Sequence, residues 1–348
     1  MRPGLRRFGA MPTSRETKAS RVGRRLTLVS LCALVLSAPA FSLVGGSVDR
    51  AVPRRRSGVA FQKQGRHWNP TSPGNVAQDA VIQDAFFRPW ADWLDDHFRE
   101  EFDLELVQLP EGLDVGHGTT PAGNGAVAQT RVYTSRRSED QDAGPIRRLR
   151  ISIFAQGSKL QALNAVVYPA YSLGPLPILC IDILSFNDHQ RQLFATDWAP
   201  LQIGAAYADA HIAPFLGQDM VGYQGLATIP GTRIYGEEPE FFSPHMFFSR
   251  PVGSALLTPG AALWEVFQDY VEKYSAMLHS AQPPLNLDVS EVEQRQADYD
   301  HWHSQRDPAV PLLGRLFGHQ WADDFFKEVA FPGLESASQR QERKLVHV

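Results

Sequence analysis

The sequence predicts an α/β protein: one domain built as a three-layer α/β/α sandwich with a central antiparallel sheet. Three observations carry this. Five segments with strand character follow one another between residues 129 and 198, separated only by turn residues. Parallel strands need crossovers of a dozen residues or more, and there is no room for them here. Helix-period patterns precede the strands and follow them. No internal repeat divides the chain, and about 250 residues remain once a basic leader is set aside, a usual size for one domain.

The leader comes first. Residues 1–70 hold 14 Lys+Arg against Glu16 and Asp49, a net +12, while the remaining 278 residues hold 20 Lys+Arg and 36 Asp+Glu, a net −16. The near-neutral total of −4 is an average over two unlike pieces. Eight basic residues from Arg2 to Arg25 precede the apolar run Leu26–Leu36, and Ser37-Ala38-Pro39-Ala40 and Phe41 follow. That order describes a secretory signal peptide over 1–40. Residues 41–70 carry Arg50, Arg54, Arg55, Arg56, Lys63 and Arg66, which is transit-peptide chemistry. Together the two resemble the bipartite leader of plastid proteins in algae with secondary red plastids, which implies a plastid stroma destination. Cys32 falls in this leader, so the mature protein has a single thiol, Cys180.

The mature domain spans about 78–333, followed by a polar tail over 334–348. A helix is expected from about Gln78, where Val81, Phe86, Phe87, Trp90, Trp93, Leu94 and Phe98 recur at helical spacing, with Pro89 kinking or restarting it. Leu109–Leu113 breaks the pattern, and Gly116–Gly125 reads as a loop. Its Gly123-Asn124-Gly125-Ala126-Val127-Ala128 matches a dinucleotide fingerprint formally, but no apolar strand precedes it, so the match is rejected. The expected strands are Gln129–Thr134, Arg148–Ala155, Leu160–Tyr168, Pro175–Phe186 and Gln192–Trp198. The chain turns helical after about Ala205. Thr258-Pro259 opens a long helix whose apolar face runs from Leu263 to Leu278, and further helices are expected over Asp288–His303, Ala309–Phe317 and Gln320–Val329.

Composition excludes several classes. With 43% hydrophobic residues, 21% charged and seven Trp, the chain is neither disordered nor collagen-like. No apolar run reaches the ~18–20 residues of a membrane span, so no membrane anchor is expected in the mature protein. Two cysteines cannot build a disulfide scaffold, an iron–sulfur cluster or a four-Cys zinc site. A net −16 argues against a nucleic-acid partner.

Five positions bear on chemistry. Asp182 lies in a strand otherwise apolar on both faces. Its carboxyl is either paired or kept protonated by desolvation, and a protonated buried acid can donate a proton. Asn164 alternates with Ala162 and Val166, which puts an amide on an apolar face. It either closes a sheet irregularity or orients a ligand. Asp307 precedes Pro308 at a helix start, where an N-cap role suffices and lowers a carboxyl pKa. His301 and His303, two apart on a helix, diverge and make a poor metal site.

The stretches Leu163–Pro169, Leu176–Leu184 and Phe241–Arg250 resemble the core of the ferredoxin-dependent bilin reductases. Leu109–Leu113, Tyr299–Ala309 and Phe317–Asp323 resemble that family's two ends, so the likeness covers about residues 80–333. It implies an open-chain tetrapyrrole between the sheet and the C-terminal helices, no bound cofactor or metal, and external reduced ferredoxin as a donor of single electrons, with the bilin passing through radical states. Asp182 matches the family's central sheet aspartate, a proton donor; Asp307 matches its helix-side aspartate; Asn164 sits where the substrate is oriented. Asn164 with Arg306–Ala309 and Tyr168-Pro169 is most similar to the member that reduces the 15,16 double bond of biliverdin IXα. The alternatives are the member that reduces the A-ring diene of 15,16-dihydrobiliverdin and, in another class, a non-catalytic bilin carrier. Product transfer to a second bilin reductase is a further implied partnership. Ferredoxins are acidic, so docking on a −16 domain needs a basic patch. Arg147, Arg148, Arg150 and Lys159, with Arg136 and Arg137 nearby, are the densest expected site.

Overall fold

The computed structural model describes residues 82–334 apart from 120–124, 137–143, 203–204, 218–221, 224, 228–240, 252 and 254. The expected signal peptide and transit-like tract, Arg137 and nearly all of the C-terminal tail lie outside the described residues.

Helix α1 spans Arg88–Glu101, with Pro89 in its first turn. Proline is tolerated there because the first-turn N–H groups have no intrahelical partner. It opens this helix, the restart that the sequence allowed; residues 78–81 lie outside the described residues. Strands β1 (Leu104–Leu106), β2 (Val115–Thr119) and β3 (Gly125–Ser135) follow. Next come β4 (Ile146–Gln156), β5 (Leu160–Pro169), β6 (Ile178–Phe186) and β7 (Arg191–Ala199). Beyond short helices α2 (Ala205–His211) and α3 (Ala213–Leu216), β8 (Phe247–Ser249) completes the sheet. Helices α4 (Ala262–Ser280), α5 (Val289–Ser304), α6 (Ala309–Phe317) and α7 (His319–Asp324) end the domain, the last running into a π-helical turn over Phe325–Ala330. Asp288 caps α5 by accepting from the Ser290 and Glu291 amides.

The sheet order is β1-β3-β4-β5-β6-β7-β8, with β2 also on β3, and every pairing is antiparallel. Alternation then assigns the two faces. Leu149, Ile151 and Ile153 of β4, Leu163, Ala165 and Val167 of β5, and Leu179, Ile181 and Ile183 of β6 are each at most 1% exposed and pack under α1 and α4. Trp90 of α1 meets Trp264 and Phe267 of α4 with ring centroids 4.8 and 4.9 Å apart, and its indole N–H donates to Leu257 O at 3.1 Å. Tyr274 of α4 donates to Pro177 O at 2.8 Å. Each such side chain contributes roughly 1.5–3 kcal/mol by leaving water. The opposite face carries a smaller apolar cluster beneath α6 and α7, interrupted by polar residues on the central strands.

The expected Gly116–Gly125 loop is in part a strand. Val115–Thr119 pairs with β3, and its glycines are required by what lies over them. A Cβ on Gly118 would stand 1.9 Å from Leu316 O, and one on Gly116 would stand 2.6 Å from the Trp321 ring. Replacing Gly118 by Ala therefore sets a methyl against backbone and should cost about 1–3 kcal/mol. Urea unfolding of Gly118→Ala should show a lower midpoint, and an unchanged midpoint would show that β2 and α6 are not in contact.

Candidate active site

Register builds the site. Thr130, Ser152, Asn164 and Asp182 stand side by side across β3, β4, β5 and β6. Arg150, Val166, Cys180 and Asp197 form the adjacent row across β4, β5, β6 and β7. Residues two apart share a face, so both rows point toward α5 and α6. Arg150, Asn164, Val166, Cys180, Asp182 and Asp197 of these rows floor a cleft of about 730 Å³, walled by Phe242, Met246, Tyr299, His303 and Phe331. A second hollow of about 600 Å³ runs on beneath α6, lined by Phe154, Leu184, Leu312 and Phe326. Arg150, Asn164, Asp182, Asp307 and Phe331 border both, so the two carboxyls stand where the hollows meet.

The rows are joined by hydrogen bonds. Thr130 donates to Ser152 Oγ at 2.9 Å, and Arg150 donates to Ser152 Oγ at 3.0 Å and to Asn164 Oδ1 at 2.6 Å. Asn164 Nδ2 in turn donates to Asp182 Oδ1 at 3.2 Å. Asp307 Oδ1 accepts from the Ala309 amide at 2.8 Å at the start of α6.

Burial pushes the Asp182 carboxyl up to about 7; the charge of Asp307 adds to the rise, and the Asn164 hydrogen bond and Arg150 oppose it. With Oδ1 accepting from Asn164, a proton on Asp182 resides on Oδ2. Burial also raises Asp307, against the Ala309 amide and Arg150. The sequence expectation of a lowered value is corrected here: Asp307 does use the helix N-terminus, but desolvation in the cleft outweighs that one donor.

The expected basic patch is corrected as well. Arg150 is 4% exposed and sits inside the site. Arg148 donates to Glu328 O and Val329 O at 3.3 and 3.0 Å, and burial draws its guanidinium down to about 10. Arg147 bonds Gln296 at 2.8 Å and lies over the Tyr168 and Tyr171 rings. Only Lys159 of the four is exposed, in the β4–β5 turn. Strand alternation holds the arginines, which lie on β4, the strand expected over Arg148–Ala155.

Two further carboxyls, Asp197 and Asp300, escaped the sequence reading. Asp197 is 2% exposed, accepts from the Ser243 amide at 2.9 Å and from its hydroxyl, and is pushed up to about 7 by burial. Asp300 of α5 accepts from Tyr168 and from the Gly333 amide, both at 2.6 Å, and burial lifts it to about 6. His303 lies against Tyr299 with ring centroids 4.3 Å apart and planes tilted by 48°, and burial lowers it to about 3, a neutral imidazole on the cleft wall. His301 is exposed, so the pair diverges as its spacing implies. The Cys180 thiol lies 2.9 Å from Tyr299 Oη, and burial raises its pKa. Among the described residues no three His, Cys, Asp or Glu are grouped to hold a metal ion.

An apolar-walled cleft over a sheet that carries raised carboxyls is suited to holding a ligand and protonating it. A family model identifies the class further: residues 91–332 match the ferredoxin-dependent bilin reductases, and the chain belongs to that family. It is a ferredoxin-dependent bilin oxidoreductase, with ferredoxin as electron donor. It is 30% identical over 259 residues to a 15,16-dihydrobiliverdin:ferredoxin oxidoreductase of Nostoc punctiforme, covering 73% of this chain and 100% of that one. A Gloeobacter violaceus protein of the same name is 29% identical, covering 70% and 94%. The solved structure of tomato phytochromobilin synthase in complex with biliverdin superposes with a TM-score of 0.58 over 74% of this chain and 88% of that one. At 18% identity that likeness concerns the fold.

A carboxyl raised by folding keeps a proton that the unfolded chain has already lost, so its contribution to stability declines as pH rises. For Asp182 and Asp197 that decline runs from the unfolded value near 4 to about 7, and for Asp300 to about 6. Asp182→Asn should remove part of it: relative to wild type, the variant's urea midpoint should be higher at pH 8 than at pH 5. A difference independent of pH would show that Asp182 is not raised.

Proposed function

We propose that this enzyme reduces the 15,16 double bond of biliverdin IXα to 15,16-dihydrobiliverdin, taking two electrons from ferredoxin and two protons from its cleft. The observation that carries the chemistry is the pair Asp182 and Asp307 at the junction of the two hollows, one carboxyl lifted to about 7 and the other also raised. The choice of bond is supported by the name of its relatives.

The bilin lies between the central strands and α5 and α6, its apolar faces against Phe242, Met246 and Phe331. Asp182 protonates it from Oδ2, and Asn164 holds the opposite carboxyl oxygen. Ferredoxin delivers one electron, which gives a neutral radical. A second electron and a second proton, the latter from Asp307, complete the two-electron, two-proton reduction. Proton donors on different elements, one on the sheet and one ahead of α6, allow two positions on the ligand to be protonated.

Asp182→Asn should retain a biliverdin difference spectrum yet lose at least about a hundredfold in ferredoxin-driven anaerobic turnover. Wild-type rates in that variant would remove Asp182 from the chemistry. Chromatography of products from biliverdin and from 15,16-dihydrobiliverdin decides the bond: conversion of the second substrate alone would assign A-ring reduction, and conversion of neither a carrier. The +12 leader supports import into a plastid. Residues 1–70 fused to a fluorescent protein should deliver it there, and cytosolic retention would contradict this.

A further inference from the structure

The reduction uses two carboxyls and an amide, and it leaves Arg150 without a task. This guanidinium is 4% exposed, bonds only the neutral Ser152 and Asn164, and makes no ion pair within 4 Å among the described residues. Its Nε is buried with no hydrogen-bond partner. An unpaired buried cation is costly, so its place at the border of both hollows calls for a reason.

Donor chemistry supplies one. Guanidinium has donors and no acceptor, so the amide face turned toward Arg150 must be oxygen. Asn164 is thereby left with its N–H₂ toward Asp182, and this is the arrangement seen. Ser152, itself held by Thr130, fixes the other end of the fork. We propose that Arg150 is the positioning residue of this cleft: anchored on Ser152, it locks the Asn164 amide so that Asp182 is held by one oxygen and presents the other, protonated, to the ligand, while its charge balances one ionised carboxyl of the Asp182–Asp307 pair. The cleft then holds one cation, one anion and one acidic proton before substrate enters, and the ionised Asp307 takes up a proton from solvent before it delivers the second. The same residue sets the direction of the donor and the number of protons available.

The groups facing Asp182 are consistent with this count. Among the described residues that line the cleft, Arg150 of β4 is the one cation, and Asp307 ahead of α6 and Asp197 of β7 are the other acids. Asp197 is committed to Ser243, burial keeps Cys180 and Tyr299 protonated, and burial keeps His303 neutral.

The proposal rests on the reduction assigned above, and it is tested by two readouts, one of which needs no bilin. In the free protein carrying ¹³C-carboxyl aspartate, Arg150→Met should move the Asp182 titration midpoint upward by about one pH unit or more, because a nearby positive charge is lost. Arg150→Lys should leave that midpoint in place, since it keeps the charge. In turnover with biliverdin, both variants should lower kcat by about tenfold or more with KM little changed, because the donor is misdirected rather than the ligand lost. On an Asn164→Ala background the same substitutions should cost little further, as Arg150 acts through that amide. A Met variant with an unshifted midpoint, or costs that simply add to those of Asn164→Ala, would overturn the proposal. If Arg150→Met does not fold, Arg150→Lys decides alone, and wild-type kcat in it is the overturning result. Absent reduction by the wild type together with a shifted midpoint would remove the assigned reaction and leave Arg150's role standing. Normal reduction with an unshifted midpoint would remove only the latter.

Discussion

One carboxyl inside a β-sheet constrains the rest of this molecule. Asp182 sits on β6 where its neighbours along the strand are apolar, and a carboxylate there, only partly exposed at the cleft, would lose part of its hydration. Direct pairing with a cation would settle the group as an anion and leave it no proton to give. The sheet does something else. It places an amide in contact with the carboxyl and the guanidinium one residue further away, behind that amide. The neutral and ionised forms of Asp182 thereby remain close in free energy, with the midpoint at about 7.

That arrangement needs a sheet that does not move. Thr130, Ser152, Asn164 and Asp182 come from four strands, and a slip of one residue in any pairing would send one of them to the other face. The layer of α1 and α4 prevents this. Trp90, Phe267, Tyr270 and Tyr274 are all at most 1% exposed and lock the opposite face at close-packed density. The cleft is on the other side, where α5, α6 and α7 leave room. Even there the walls are tied: Asp300 fastens α5 to Tyr168 of β5 and to Gly333, and Asp197 fastens the Ser243 turn that carries Phe242 and Met246.

Sequence carried much of this. The five long strands were legible because turn residues bound them and β-branched residues fill them, and α6 begins and ends where its pattern places it, at Ala309–Phe317. Strands β1 and β8, three residues each, are too short to show a period, and β2 is rich in glycine for reasons that lie in α6 and Trp321. Asp182 and Asn164 stood out as polar residues in apolar strands. Arg147, Arg148 and Arg150 were misread because a cluster of cations suggests a surface. Counting in twos from Asn164 through its partner Ser152 would have placed Arg150 in the cleft, but strand register is not visible before the sheet is assembled. Asp307 illustrates a different limit: its cap role was readable, whereas the cleft that outweighs the cap depends on β4, β6 and Phe331 arriving from elsewhere in the chain. Asp197 and Asp300 carry no local signal at all, since each is defined by a partner far away in sequence.

The central claim is that Asp182 holds a proton, on the oxygen turned away from Asn164, before any substrate binds. Neutron diffraction from deuterated crystals of the free enzyme at pD about 6, below the midpoint near 7, reads this directly. The account predicts deuterium density on Asp182 Oδ2, two deuterons on Asn164 Nδ2 with one directed at Oδ1, and a fully deuterated Arg150. A bare Asp182 carboxylate, or an Asn164 amide turned the other way, would contradict it.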